Sequence, residues 1–190
     1  MSKIIDYIVN MIPYMIIAIP IIIVIRYFMN RNKKINWYHE IALFLFLLFL
    51  VGLFSQTIIP KIEIDVNGHI SLINKNTNRI NLVPGKVLLD TYYEVFKNHY
   101  FNYFLINFLG NIVMFMPIGF FIPLLWKIST KKVILSGFSI SLLIEFCQLF
   151  LDRGTDIDDL ILNTLGTLLG FLCYQILFKK LSLLKKHFHN

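Results

Sequence analysis

Glu145 to Asn163 reads EFCQLFLDRGTDIDDLILN. The stretch joins two long apolar runs and sets Glu145, Gln148, Arg153, Asp156, Asp159 and Asn163 at and between their ends. A charge inside lipid is expensive unless it has a partner or a task. Five of the 11 acidic residues of the chain, Glu145, Asp152, Asp156, Asp158 and Asp159, fall within this window. In a sequence that is 57% hydrophobic, that concentration of acid makes the junction the first place to look for chemistry.

The surrounding composition assigns the class. A mean hydropathy of +0.68, with 18 Phe and only 15% charged residues, lies far outside the range of soluble proteins. The expectation is an all-α integral membrane protein: 190 residues suffice for about five transmembrane helices of ~20 residues each and one loop of appreciable size. A separate soluble domain is not expected. The net charge of +7 is carried by short clusters beside apolar runs, as juxtamembrane lysines are, so the partner implied is the lipid bilayer and no nucleic acid.

Upstream and downstream of the junction the runs can be laid out in order. The first, Ile8 to Phe28, contains Pro13 and Pro20; its leading end carries only Lys3 and no small-residue cleavage site follows, which favours an anchor over a signal peptide. The second, Ile41 to Ile59, has no charge between Glu40 and Lys61 and is closed by Pro60. The third, about Tyr103 to Trp126, holds Asn107, Asn111, Pro117 and Pro123. The fourth, Val133 to Leu151, holds Glu145 and Gln148 near its far end, and the fifth, Ile157 to Phe178, opens with Asp158 and Asp159. Basic clusters follow the first, third and fifth runs. Basic residues mark cytoplasmic loops, so the N-terminus is expected outside and the C-terminus inside. The chain divides into two N-terminal transmembrane helices (1–60), an extracytoplasmic loop (61–102), a three-helix core (103–178) and a basic cytoplasmic tail (179–190).

In the loop, Ile62, Ile64 and Val66 alternate with Glu63 and Asp65, then Ile70 and Leu72 flank Ser71 after Asn67-Gly68, the pattern of a small β-hairpin. A two-residue turn pairs Val66 with His69 and mixes the faces. A three-residue loop pairing Val66 with Ile70 and Ile64 with Leu72 keeps the faces matched but strains His69, so the turn type stays open. Asn81-Leu82-Val83-Pro84-Gly85 then punctuates the chain, and Val87 to Asn98 suits an amphipathic helix on the membrane surface.

Depth follows from a rise of about 1.5 Å per residue, counted from the outer end of each helix. Asn111, Glu145 and Asn163 fall roughly 10 Å below the outer surface and Asn107, Gln148 and Asp159 roughly 5 Å below it, two polar tiers on three helices. Spacing keeps each set on one face: Ser141, Glu145, Gln148 and Asp152 on the fourth run; Asp156, Asp159, Asn163, Gly166 and Gly170 on the fifth; Asn107 and Asn111 on the third. These residues form either an outward-facing polar pocket for a ligand or a polar network that glues the helices together; Gly166 and Gly170 form a small-xxx-small packing pair. Asp156 is expected to cap the fifth helix, and Arg153 to bond Asp156, Asp159 or Glu145.

Asn111-Ile-Val-Met-Phe-Met-Pro117-Ile-Gly119, Glu145-Phe-Cys-Gln148 and Arg153-Gly-Thr-Asp156-Ile-Asp-Asp159-Leu-Ile-Leu-Asn163-Thr-Leu-Gly166 resemble, in order and spacing, the VanZ-like family, named for a glycopeptide (teicoplanin) resistance protein. The resemblance runs from about Arg79 to Phe178, because Asn81-Leu82-Val83-Pro84 is similar to the family's NL(I/V)P loop motif; Gly85 stands where the family usually carries Phe. It implies a multi-pass protein of the bacterial cell membrane associated with glycopeptide tolerance. The implied partners are a lipid-linked peptidoglycan precursor or the glycopeptide antibiotic.

Three classes of function compete. In a binding protein, Arg153 pairs with a ligand phosphate or carboxylate while Asn111, Gln148 and Asn163 supply hydrogen bonds. In a membrane enzyme acting on a lipid-linked cell-wall precursor, Glu145 and Asp159 serve as acid and base. A proton-coupled transporter fits less well, since the polar groups reach only the outer half. His39, His69 and His99 are scattered, His187 and His189 sit in the tail, and no Ser-His, Cys-His or metal-ligand spacing occurs, so no metal and no cofactor is assigned. Cys147 and Cys173 differ in depth by roughly 20 Å and are expected to be packing residues.

Overall fold

The computed structural model describes residues 2–59, 62–64, 70–72, 80–151, 154–180 and 188. It is an all-α membrane protein with short strand pairs outside the helices. Helix α1 (Ser2–Asn30) runs unbroken through Pro13 and Pro20, and α2 (Trp37–Thr57) starts behind Asn36, whose side chain accepts the His39 N–H at 3.4 Å. The two are joined at one end by Arg26, which grips both carboxylate oxygens of Glu40, with Nε at 2.8 Å from Oε2. Near the other end Gly52 lets the Met11 sulfur approach the backbone of α2.

Strands β1 (Ile62–Ile64) and β2 (Ile70–Leu72) form the expected antiparallel hairpin in a different register. Ile64 pairs with Ile70 and Ile62 with Leu72, two residues from the pairing of Ile64 with Leu72. A shift of two residues preserves the alternation of the sequence, which is why alternation alone does not select this register. The turn at Asn67-Gly68 lies outside the described residues.

Strand β3 (Ile80–Asn81) is followed by α3 (Lys86–Tyr92), which continues as a π-helical turn over Tyr93–Lys97. The amphipathic segment expected from Val87 to Asn98 is thus helical but changes its winding half-way. His99, at φ 54°, turns the chain into α4 (Phe101–Leu125), whose second turn, Phe104–Leu109, is also π-helical. Helix α5 (Thr130–Gln148), β4 (Thr155–Asp156) and α6 (Ile157–Lys180) complete the described order. By length and composition, four of the helices, Val9–Asn30, Trp37–Thr57, Phe101–Leu125 and Ile157–Lys179, suffice to cross a membrane. Helix α5, with Lys131, Lys132 and Glu145, is less apolar but has 19 residues, about 28 Å at the helical rise.

The backbone contacts show how α4, α5 and α6 are stacked. Gly166 faces the Ile112 carbonyl and Gly170 the Met116 carbonyl, so α4 and α6 run parallel. Gly137 faces Thr167 while Ser141 bonds Asn163, so α5 runs antiparallel to α6. A Cβ at Gly166 or Gly170 would overlap the opposing carbonyl, the close approach that a small-xxx-small pair permits. Phe46, Leu53, Phe115, Ile118, Val133, Ile144 and Phe171 fill the core between α2, α4, α5 and α6. Much of the remaining apolar surface points outward, with Ile16, Ile17, Phe28, Leu45, Leu135 and Ile176 all exposed. Large apolar faces of this kind need lipid around them.

Candidate functional site

The site forms where α4, α5 and α6 meet near the start of α6. Glu145 is only 6% exposed, and its Oε2 accepts the Asp156 N–H at 3.1 Å, while Thr155 Oγ1 reaches the Glu145 carbonyl at 3.5 Å. The last charged residue of α5 therefore holds the entry into α6. Asp156 caps α6 as expected, its Oδ1 accepting the Asp158 N–H at 2.9 Å. The cap satisfies one of the orphan donors at that helix start.

Asp159, in the first turn of α6, receives a short hydrogen bond from Asn111 Nδ2 of α4. A turn deeper, Asn163 Nδ2 donates to Ser141 Oγ of α5 at 2.9 Å, with Asn163 5% exposed and Ser141 fully buried. The other end of this amide, Asn163 Oδ1, is buried with no hydrogen-bond partner among the described residues. An unsatisfied buried acceptor carries a desolvation cost and calls for a donor.

Of the site residues expected from spacing, Asn111, Glu145, Asp156, Asp159 and Asn163 come together. Gln148 leaves the group: its Nε2 donates to the Thr57 carbonyl at 3.2 Å and ties α5 to the end of α2. Asn107 also turns away, donating to the Tyr103 carbonyl at 3.2 Å. The two level tiers are replaced by a slanted chain in which Asn111 meets Asp159. Depth counting assumed α-helical rise throughout, but Asn107 lies inside the π-helical turn of α4, which advances less per residue and rotates the faces that follow. Arg153 lies outside the described residues, so its pairing with Asp156, Asp159 or Glu145 does too.

Face counting missed Asp158. It is 5% exposed, and its two carboxylate oxygens accept the backbone N–H groups of Gly85 at 2.7 Å and Val87 at 2.8 Å. Beside it, Asn81 Nδ2 donates to Asp156 Oδ1 at 2.9 Å and β3 pairs in parallel with β4. The Asn81-to-Gly85 loop is thereby docked onto the start of α6. Gly85 supplies the needed backbone at φ 86°, a conformation that favours glycine.

The VanZ/LLP1 family model matches residues 41–178. The chain belongs to the VanZ/LLP1 family. The match takes in most of α2, the docked loop and nearly all of the three helices that build the polar cluster, and leaves α1 outside. Neither the curated proteins nor the solved structures give a match. The family membership and the apolar helices together make this a multi-pass membrane protein in a lipid bilayer.

Within that frame the cluster presents Glu145, Asp156 and Asp159 with amide groups from Asn111 and Asn163. Among the described residues the ion pair Arg26–Glu40 lies at the opposite end of the helices, and none involves the cluster. Asp159 and Asp156 both lie within electrostatic reach of Glu145. Chemically the arrangement is rich in acceptors and suited to a ligand that brings donors.

Proposed function

We propose that this VanZ-family protein crosses the bacterial cell membrane five times and binds a cell-envelope ligand in an outward-facing polar site, thereby contributing to resistance against teicoplanin-type glycopeptides. The parallel course of α4 and α6 supports the five-span reading: a chain that crosses twice in the same direction must return between, and α5 is the segment available. The basic clusters after α1, α4 and α6 support an N-terminus outside, a C-terminus inside and a polar cluster toward the outer face. Glycopeptides and the lipid-linked peptidoglycan precursor meet at that face.

The observation that carries the binding reading is that Glu145, Asp159, Asn111 and Asn163 from three helices lie at one end of the trio, where Asn163 Oδ1 is buried with no hydrogen-bond partner among the described residues. Ligand contacts are assigned to Asn111, Glu145, Asp156, Asp159 and Asn163, with Asn107 and Gln148 bracing the wall; Arg153, six residues ahead of Asp159 in the sequence, is the candidate partner for an anionic group. The proximity of Glu145 and Asp159 supports a second reading, an enzyme that uses them as acid and base on the same precursor.

Full-length protein in nanodiscs, titrated with teicoplanin and separately with the lipid-linked precursor, tests the proposal. One of the two should bind, and Asp159→Asn or Asn163→Leu should weaken it about tenfold or more, the loss expected for a charge-assisted hydrogen bond. Absence of binding to either would refute the reading. Release of a cleaved headgroup on incubation would move the assignment to the enzyme.

A further inference from the structure

At the far end of the helices from the polar cluster, the Trp126–Ser129 link between α4 and α5 and the last turns of α6 enclose an open cavity of about 900 Å³. Its volume lies within the range of about 300–1,000 Å³ common for small-molecule sites. The wall has two distinct parts. Pro123, Phe171, Tyr174 and Phe178 are buried and form an apolar floor, and Phe171, Tyr174 and Phe178 continue into one another as an aromatic row. Lys127 and Lys179 are exposed and stand at the rim, with Ser129 and Thr130 opening the 19-residue helix α5 between them.

Three features give the rim one sign. Among the described residues no carboxylate lines the cavity. Glu40, the acidic residue of this end of α1 and α2, is already held by Arg26. Ser129 starts α5 with an extended backbone and no side-chain hydrogen bond to the first turn, so the positive end of the helix faces the rim uncovered by a cap. An apolar, aromatic floor beneath two lysines and an uncapped helix start matches a ligand with an anionic head and an apolar tail.

We propose that this cavity binds an anionic phospholipid, its phosphate held between Lys127, Lys179 and the start of α5 and its first acyl carbons lying on Pro123, Tyr174 and Phe178. Basic pockets between transmembrane helices at the membrane surface recognise phosphate head groups through such charge complementarity. The site is separate from the polar cluster and stands whether or not that cluster binds an envelope ligand.

Trp126 lines the cavity and serves as its reporter. The other tryptophan, Trp37, is 68% exposed and is removed by Trp37→Phe. The full chain carrying that change is reconstituted with phosphatidylglycerol or phosphatidylcholine brominated on the acyl chains, which quench tryptophan on contact. Brominated phosphatidylglycerol should reach half-maximal quenching at a mole fraction at least about fivefold lower than brominated phosphatidylcholine, the preference expected from one or two lysines near the phosphate. Lys127→Gln with Lys179→Gln, both at exposed positions, should bring the ratio to about one, whereas Lys33→Gln with Lys34→Gln should leave it unchanged. Equal quenching by the two lipids, or selectivity that survives loss of both rim lysines, overturns the proposal. Selectivity abolished by millimolar inorganic phosphate overturns it as well, because the ligand is then a soluble phosphate.

Discussion

Asp158 shows how a single carboxylate can set the position of a whole loop. Both of its oxygens are committed to backbone amides of the Gly85–Val87 turn, across more than seventy residues of sequence. Asp158→Ala leaves two amides without acceptors, one of them at the buried Val87, and should cost about 2–3 kcal/mol of stability, with Asp158→Asn recovering part of it. Thermal unfolding of purified protein checks this; a variant as stable as wild type would mean that the loop is held by something else. Asp158 was not legible from spacing because it lies off the Asp156–Asp159–Asn163 face, and periodicity reports faces of one helix, not partners from a distant loop. Asp156 was legible, since a carboxylate just ahead of an apolar run is a cap whatever packs around it. Glu145 and Asp159 could be singled out from the cost of charge in lipid alone, although their immediate partners, the Asp156 N–H and Asn111, could not.

At the scale of elements, the apolar runs located the helices to within a few residues. Ile41–Ile59 became Trp37–Thr57, about Tyr103–Trp126 became Phe101–Leu125, Val133–Leu151 became Thr130–Gln148, and Ile157–Phe178 became Ile157–Lys180. Hydropathy marks such segments because backbone groups in lipid must be paired within a helix. It does not report winding, so the π-helical turn at Phe104–Leu109 and the displacement of Asn107 that follows from it were invisible. The hairpin register escaped for the related reason that a shift of two residues preserves alternation. Gly166 and Gly170, read as packing residues, do pack: both lie against α4 carbonyls. Gly166→Val should therefore push α4 and α6 apart and cost about 1–3 kcal/mol or more, whereas Leu172→Met on the exposed face of α6 should stay within about 0.5 kcal/mol. Comparable unfolding temperatures for the two variants would contradict the close α4–α6 contact.

For the molecule as a whole, composition and the alternation of basic clusters were enough to read an all-α membrane protein, and the parallel α4–α6 pair adds a geometric reason for α5 to cross. With Cys147 and Cys173 changed to Ser, Ser129→Cys should react with a membrane-impermeant maleimide only from the cytoplasmic side and Glu94→Cys only from outside. Labelling of both from one side would contradict the five-span arrangement. The helix trio of α4, α5 and α6 holds a carboxylate–amide cluster at one end and a cationic, aromatic cavity at the other. The claim on which the functional account rests is that the outer cluster does chemistry beyond holding helices together. Teicoplanin susceptibility of a sensitive Gram-positive host tests it most directly, comparing wild type with Glu145→Gln, Arg153→Ala and Asp159→Asn at matched membrane abundance. Wild type should protect and each substitution should abolish protection; protection by all four alike would reduce the cluster to helix packing.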